Sequence, residues 1–479
     1  MIKRIWIAAV LLICSAVLCP HTLAAGKGKP EWVKGEFIVK FKPGMARSQV
    51  KSMTHKHGSE ILASSRFSRF QRLKVPQGRT AAQMVEIFRK RPEVEYAELN
   101  YIARAFASPN DSYYYLQWNF SDPYRGINAE AAWDITEGDP GTIVAVLDSG
   151  VAYEDYGSFQ QAPDLASTSF VSPYDFINND AHANDDDGHG THVAGTIAQN
   201  TNNYSGAAGI AYDCSIMPVK VLDDIGEGTY SAIADGVYHA ANNGAKVINM
   251  SLGGSGYSTT LRNAVQYAYN NGVTIVCATG NEYNEGNPTT YPAAYNSYCI
   301  AVGATRYDRT RAPYSNTGSY VDLVAPGGDL DVDQNNDGYG DGILQQTFAE
   351  GDPTDFGYYF YDGTSMATPH VSGIAAMLIS LGITDPDDVR EALESTARDL
   401  GSTGKDNQYG WGLVDAYAAL DYYRSMGDFN ADGSSDMDDL AMLIENWLTS
   451  DGYADITPET GDGIVNFRDF AVFSQLYGS

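Results

Sequence analysis

The 479-residue chain is 43% hydrophobic and carries 33 tyrosines and 48 glycines, which excludes a disordered or fibrous protein and leaves room for more than one folded domain. Its formal net charge of −29 opposes binding to nucleic-acid phosphates and favours solubility and bound cations. That charge is uneven: residues 26–106 hold 17 Lys+Arg against 7 Asp+Glu, net +10, and residues 107–479 hold 12 against 53, net −41.

At the N-terminus, Lys3 and Arg4 precede an apolar run from Ile5 to Leu18, and Thr22-Leu23-Ala24-Ala25 offers a small-residue cleavage site. This reads as a secretory signal peptide over residues 1–25, too short to be a comfortable membrane span. Cys19 lacks the small residues that precede a lipoprotein cysteine, so no lipid anchor is expected. No later apolar run is long enough to cross a bilayer, so the mature chain is expected to be secreted, either free outside the cell or attached to its surface. Two of the five cysteines fall in the signal. Cys214, Cys277 and Cys299 remain, all in apolar surroundings, and are expected to be buried, with at most one disulfide among them.

Residues 26–106 read as a small α+β unit. Gly35 to Lys42 alternates as a strand does, Thr80 to Arg91 places Met84, Val85, Ile87 and Phe88 on one helical face, and Val94 to Tyr101 is a second long strand. A basic unit beside an acidic one points to two pieces that dock on each other.

Residues 107–425 alternate strand and helix. Continuous apolar runs at Thr142 to Leu147, Cys214 to Val221, Lys246 to Met250, Val273 to Ala278 and Tyr298 to Ala304 read as buried parallel strands. Helical patterns occupy Gly190 to Gln199, Thr229 to Asn242 and Thr259 to Asn270, so the fold class is α/β, a parallel sheet flanked by helices. In such a sheet the site lies at the carboxyl ends of the strands.

Asp148 ends the first of these strands. His189 opens a helix in Gly188-His189-Gly190-Thr191-His192-Val193-Ala194-Gly195. Asn281 follows the strand Val273 to Ala278. Ser365 lies between small residues in Gly363 to Val371, just before the apolar run Gly373 to Leu381, which predicts a buried helix with Ser365 at its N-terminus. Free N–H groups there favour the oxyanion of an acyl-transfer intermediate, although a serine at a helix start is more often a plain N-cap. A serine hydroxyl needs a base, and the base an orienting carboxylate; the order Asp, His, Ser supplies both, with Asn281 as an amide donor to the oxyanion.

The segments Val146 to Val151, His189 to Gly195 and Gly363 to Val371 resemble the three signature blocks of the subtilisin-like serine proteases. Ser251-Leu252-Gly253-Gly254 is similar to the stretch that lines their substrate cleft, and Gly410 to Ala416 to their closing block. The resemblance covers roughly residues 110–420. It implies a subtilisin-like fold in which Asp148 orients His189, His189 acts as base, Ser365 as nucleophile, and Asn281 binds the oxyanion. It gives His192 no such role, and a structural one is expected. Residues 26–106 likewise resemble the family's inhibitory propeptide, which makes that unit an expected partner of the cleft beside protein or peptide substrates.

Two acidic stretches predict Ca²⁺. Asp333, Asn335, Asp337 and Asp341 place oxygen donors along one loop with Gly338 at its bend. Asp175, Asp180 and Asp185 to Asp187 are weaker candidates. In the tail, residues 426–479, Asp428, Asn430, Asp432, Asp436 and Asp439 fall at positions 1, 3, 5, 9 and 12 of an EF-hand-type loop with Gly433 at position 6. The pattern recurs 30 residues on, where Pro458 and Thr460 replace the first two ligands. Two such loops, each followed by an apolar-faced helix, resemble a dockerin, a small α-helical module whose partners are cohesin domains of scaffold or surface proteins.

The expected function is therefore a secreted serine endopeptidase made as a zymogen, supported by Ca²⁺ and tethered through its tail. The competing reading is a catalytically silent, subtilase-like binding component; the complete set Asp148, His189, Asn281 and Ser365 argues against it.

Overall fold

The structure is a computed structural model that describes residues 32–101 and 108–426, with single positions at 439, 440, 443, 444, 470 and 473. The signal peptide lies outside the described residues. So do Asp428, Asn430, Asp432 and Asp436 of the first tail loop and all of the second.

The N-terminal unit is a four-stranded antiparallel sheet, ordered β2-β3-β1-β4, from β1 (Trp32–Phe41), β2 (Ile61–Ser64), β3 (Gln71–Lys74) and β4 (Val94–Tyr101). The Ala81–Arg89 helix lies against it. Its start is fixed reciprocally: Thr80 Oγ1 accepts the Gln83 N–H at 3.2 Å, and the Gln83 side chain accepts the Thr80 N–H at 3.3 Å. Met84, Val85 and Phe88 meet Phe37, Val39, Leu73 and Leu99 in a separate small core. A helix at Arg47–Lys56 and strands β2 and β3 were not legible in the sequence. That helix buries only Val50 and Thr54, and the four-residue β3 buries only Leu73, so neither carries a periodic apolar signal.

The larger region is built on an eight-stranded sheet. Its main path runs β12-β11-β10-β9-β5-β8-β6, with β7 also paired to β8, and every pairing is parallel. The strands are β5 (Ile143–Asp148), β6 (Ser169–Phe170), β7 (Tyr174–Asp175), β8 (Ser215–Lys220), β9 (Val247–Met250), β10 (Thr274–Ala278), β11 (Ile300–Thr305) and β12 (Leu323–Pro326). Successive side chains point to opposite faces. Val144, Val146 and Ile216 join the core beneath the His189–Ala198 and Thr364–Ser380 helices, while Ala145, Leu147, Met217 and Val219 join the core beneath the Tyr230–Asn242 and Thr259–Asn270 helices. Burial on both faces explains why these strands read as continuous apolar runs. The strand order turns at β5, which lies between β8 and β9, so Asp148 stands at the switch point where such sheets bind ligands.

The five predicted strands and three predicted helices of this region are present within two residues of their expected ends. The helix expected to carry Ser365 at its N-terminus runs from Thr364 to Ser380, so it begins well before the apolar run at Gly373 and passes through Pro369. A hairpin of β13 (Ile343–Phe348) and β14 (Phe356–Tyr361) leads into it. Cys214, Cys277 and Cys299 are buried, as expected, and all three are free thiols. Among the described residues, no helix is long and apolar enough to cross a membrane.

Candidate active site

Asp148 is the last residue of β5 and has no exposed surface. The Ser149 N–H donates to its Oδ1 at 2.8 Å, and His189 Nδ1–H donates to the same oxygen at 2.7 Å. His189 is the first residue of its helix, and that helix start comes very close to the strand end. A Cβ on Gly190 would lie 2.1 Å from the Gly150 carbonyl oxygen and 3.0 Å from Asp148 Cβ, so only glycine allows the approach.

Asp185 clamps the two pieces together. Its Oδ1 accepts the Ser149 hydroxyl at 2.8 Å and the Gly188 N–H at 2.9 Å. Its Oδ2 accepts the Thr191 N–H at 2.8 Å and the Thr191 hydroxyl at 2.6 Å. The Ser149 hydroxyl in turn accepts the Gly190 N–H at 3.0 Å. Lys220, buried at the end of β8, donates to the Ser149 carbonyl at 2.6 Å, the Leu222 carbonyl at 2.9 Å and the Asp186 carboxylate. The sequence marked Asp185 only as a weaker Ca²⁺ candidate and did not mark Lys220, because neither support carries a spacing pattern that reveals its partners.

Burial alone would lower the basicity of His189. The charge and hydrogen bond of Asp148, with the charges of Asp187 and Asp185, outweigh it and push the imidazole up to about 9. His192 and His370 go the other way. Burial holds them down to about 3 and about 4. His192 Nε2 contacts the Ile343 and Tyr359 carbonyls, and His370 is held between the Met366 carbonyl and the Asn119 amide, so both are structural.

Ser365 is the second residue of its helix rather than the cap, which is Gly363. Pro369, four residues on, has no N–H to give the Ser365 carbonyl, and the Ser251 hydroxyl takes that acceptor at 2.8 Å. The nucleophile candidate is thereby tied to the predicted cleft segment. The Ser365 hydroxyl itself donates to the Ser251 carbonyl at 3.1 Å. Asn281 Oδ1 accepts the Thr364 N–H and hydroxyl, both at 2.9 Å, which fixes the carboxamide and leaves its Nδ2 as the donor offered to the cleft. The sequence did not single out this role of Thr364 either.

A single cleft of about 690 Å³ is lined by His189, Asn281, Ser365 and the whole stretch Ser251, Leu252, Gly253, Gly254, with Gly226 and Gly228 also on its wall. The structure thus brings together Asp148, His189, Asn281, Ser365 and residues 251–254 at the carboxyl end of the sheet.

The acidic loop has a different geometry. Asp333 accepts the N–H groups of Asp337 and Gly338, Asn335 accepts that of Asp337, Asp337 that of Tyr339, and Asp341 Oδ2 that of Gln334. Gly338 takes the left-handed conformation at the bend, φ +95°. Asp341 is buried, and its Oδ1 meets no hydrogen-bond partner. Burial pushes its carboxyl up, with Asp333 and Asp337 adding repulsion. Among the described residues, no three His, Cys, Asp or Glu side chains converge as a metal cage, in this loop or around Asp175, Asp180 and Asp185 to Asp187. In the tail, Asp439, Leu440, Leu443, Ile444, Phe470 and Phe473 are helical, and Asp439, Leu443 and Phe473 are buried.

Comparison with known proteins agrees with the α/β fold and with the separate N-terminal unit. The profile of the subtilase family matches residues 139–412, and that of the fervidolysin N-terminal prodomain matches residues 20–100. The thermophilic serine proteinase of Bacillus sp. (strain AK1) is 40% identical over 399 residues, 82% of this chain and 89% of that protein. Thermitase of Thermoactinomyces vulgaris is 40% identical over 318 residues, 66% of this chain and 100% of that protein. Subtilisin E of Bacillus subtilis (strain 168) is 35% identical over 436 residues, 87% and 99% respectively. Among solved structures, a protease of Pseudoalteromonas arctica PAMC 21717 has a TM-score of 0.57 at 35% identity, covering 66% of this chain and 99% of that one.

Proposed function

The chain belongs to the subtilase family and is a subtilisin-type serine protease made with an N-terminal prodomain, and from that premise we propose that it cuts peptide bonds through Asp148, His189 and Ser365. The observation that carries this reading is the 2.7 Å bond from His189 Nδ1 to a fully buried Asp148, beside a cleft that also holds Ser365. With Nδ1 committed as a donor, the lone pair sits on Nε2, where a base is needed. In the reacting state the Ser365 hydroxyl turns from the Ser251 carbonyl to His189 Nε2; such bonds tighten only when substrate is bound. Ser365 Oγ then attacks the peptide carbonyl and His189 takes its proton. Asn281 Nδ2 and N–H groups at the helix start hold the oxyanion. His189 passes the proton to the departing amine, and the same base activates water to release the acyl group.

The prodomain acts as the inhibitor of this cleft until it is removed, and the protein works outside the cell. Ca²⁺ would be held by Asp333, Asn335, Asp337 and Asp341. The donors are all oxygens, and the buried, unpartnered Asp341 Oδ1 is the kind of atom a cation satisfies. Bound there, the ion supplies charge compensation and stability and takes no part in the reaction. The tail is a dockerin-like tether with Ca²⁺ held by Asp428, Asn430, Asp432, Asp436 and Asp439 and a cohesin-bearing scaffold as partner. The buried helical pair Leu443 and Phe473, equivalent positions of the 30-residue repeat, supports it. Binding of the full chain to cohesins in Ca²⁺ but not in chelator tests the tether.

The test of the catalytic reading is digestion of a complex peptide mixture. Wild type should produce new termini, and a serine-directed inhibitor or Ser365→Ala should abolish them. Equal digestion by Ser365→Ala would overturn the assignment.

A further inference from the structure

The cleft wall carries three carboxylates, Asp187, Glu227 and Glu282, and no lysine or arginine. They come from three separate segments of the cleft wall, and two are fixed. Asp187 lies two residues before His189; its Oδ1 accepts the His189 N–H at 3.1 Å, and its Oδ2 faces the Gly226 segment, 3.8 Å from where a Cβ there would sit. Glu282 follows Asn281, and its Oε2 accepts the Asn316 amide at 2.9 Å, which leaves Oε1 for a ligand. Glu227 is exposed on the same segment as Gly226 and Gly228. The nearby Lys220 does not balance them, because it is buried and bound to Asp186 and two carbonyls.

We infer that this cleft selects peptides that carry lysine or arginine beside the scissile bond, with Asp187 the principal determinant. The inference rests on the peptidase reading above and gives that site its substrate class. A cationic side chain seated in the cleft meets negative charge on several sides, in a concavity where screening is weaker than on an open surface. Each carboxylate is worth up to about fivefold in kcat/KM at such a solvated distance. Asp187 contributes most because its carboxylate is anchored next to the reacting imidazole.

The experiment uses matched peptides that differ only in lysine against acetyl-lysine, placed in turn at each of the three positions on either side of the cut. The reading is the ratio of kcat/KM for the two peptides within each protein, which cancels any general loss of activity. Wild type should favour the lysine peptide by about fivefold or more at one or more positions, and the preference should fall in about 0.5 M salt. Asp187→Asn should reduce the ratio most, Glu227→Gln and Glu282→Gln less. A ratio near one at every position, or a ratio untouched by all three substitutions, overturns the inference while leaving the peptidase intact. If wild type cuts neither peptide, the peptidase reading falls and takes the inference with it.

Discussion

In the proposed reaction His189 has to be neutral at Nε2 to accept the Ser365 proton, and its surroundings favour the opposite state. Asp148, Asp187 and Asp185 raise it to about 9 against the cost of burial. A base with a raised pKa is inactive below it and becomes active as pH rises through it. For an uncharged peptide, kcat/KM should therefore climb with pH and reach half its maximum well above 6.5, towards 9. Asp187→Asn removes one of the anions and should move that midpoint to lower pH. A wild-type midpoint at or below 6.5 would contradict this electrostatic account. The four residues proposed for the reaction stand out in the sequence because each lies at or near an element end among small residues. Their supports could not. Asp185, Lys220 and Thr364 act through contacts with residues far along the chain, and no local pattern reveals those partners.

The element that positions His189 is the Gly188–Ala198 segment pressed against the end of β5. Its register depends on Gly190, where a methyl group would collide with the Gly150 carbonyl. Gly190→Ala should push the helix start away from Asp148 and stretch the 2.7 Å bond. A displacement near 1 Å at a catalytic group costs on the order of 100-fold in rate, whereas overpacking one methyl costs about 1–3 kcal/mol of stability. Peptide hydrolysis should thus fall by about two orders of magnitude in a protein whose circular dichroism remains native. Near-normal activity would mean that the helix tolerates the shift. At this scale, strands buried on both faces were legible because few polar residues interrupt them, and β5 is the clearest case. The helix of Ser365 was legible from the apolar run Gly373 to Leu381, with Ser365 at its N-terminus. Pro369 does not break it, since the bond that proline cannot make is supplied by Ser251. The β13–β14 hairpin was missed because Gln345, Gln346 and Thr347 disguise a fully buried strand.

Across the whole molecule, the strongest constraints are charge and processing. The body of the chain carries net −41, and its loop at residues 333–341 keeps a buried Asp341 beside two further aspartates. Ions that bind only the folded form stabilise it by mass action. Chelation should lower the melting temperature of the full chain relative to millimolar Ca²⁺, and Asp341→Asn should shrink that difference. An equal melting temperature in chelator would remove Ca²⁺ from the account. The split between a basic N-terminal unit and an acidic body was visible in composition alone, whereas the four-stranded sheet of that unit was not, because its shorter strands bury too little. Removal of the unit tests the central claim most directly. Purified full-length chain and Ser365→Ala are incubated with Ca²⁺, with no other protease present, and their intact masses are followed. Wild type should break between Arg104 and Asp111 and release its prodomain, while Ser365→Ala should remain a single precursor. Maturation of Ser365→Ala at the wild-type rate would contradict the assignment of Ser365 as the nucleophile.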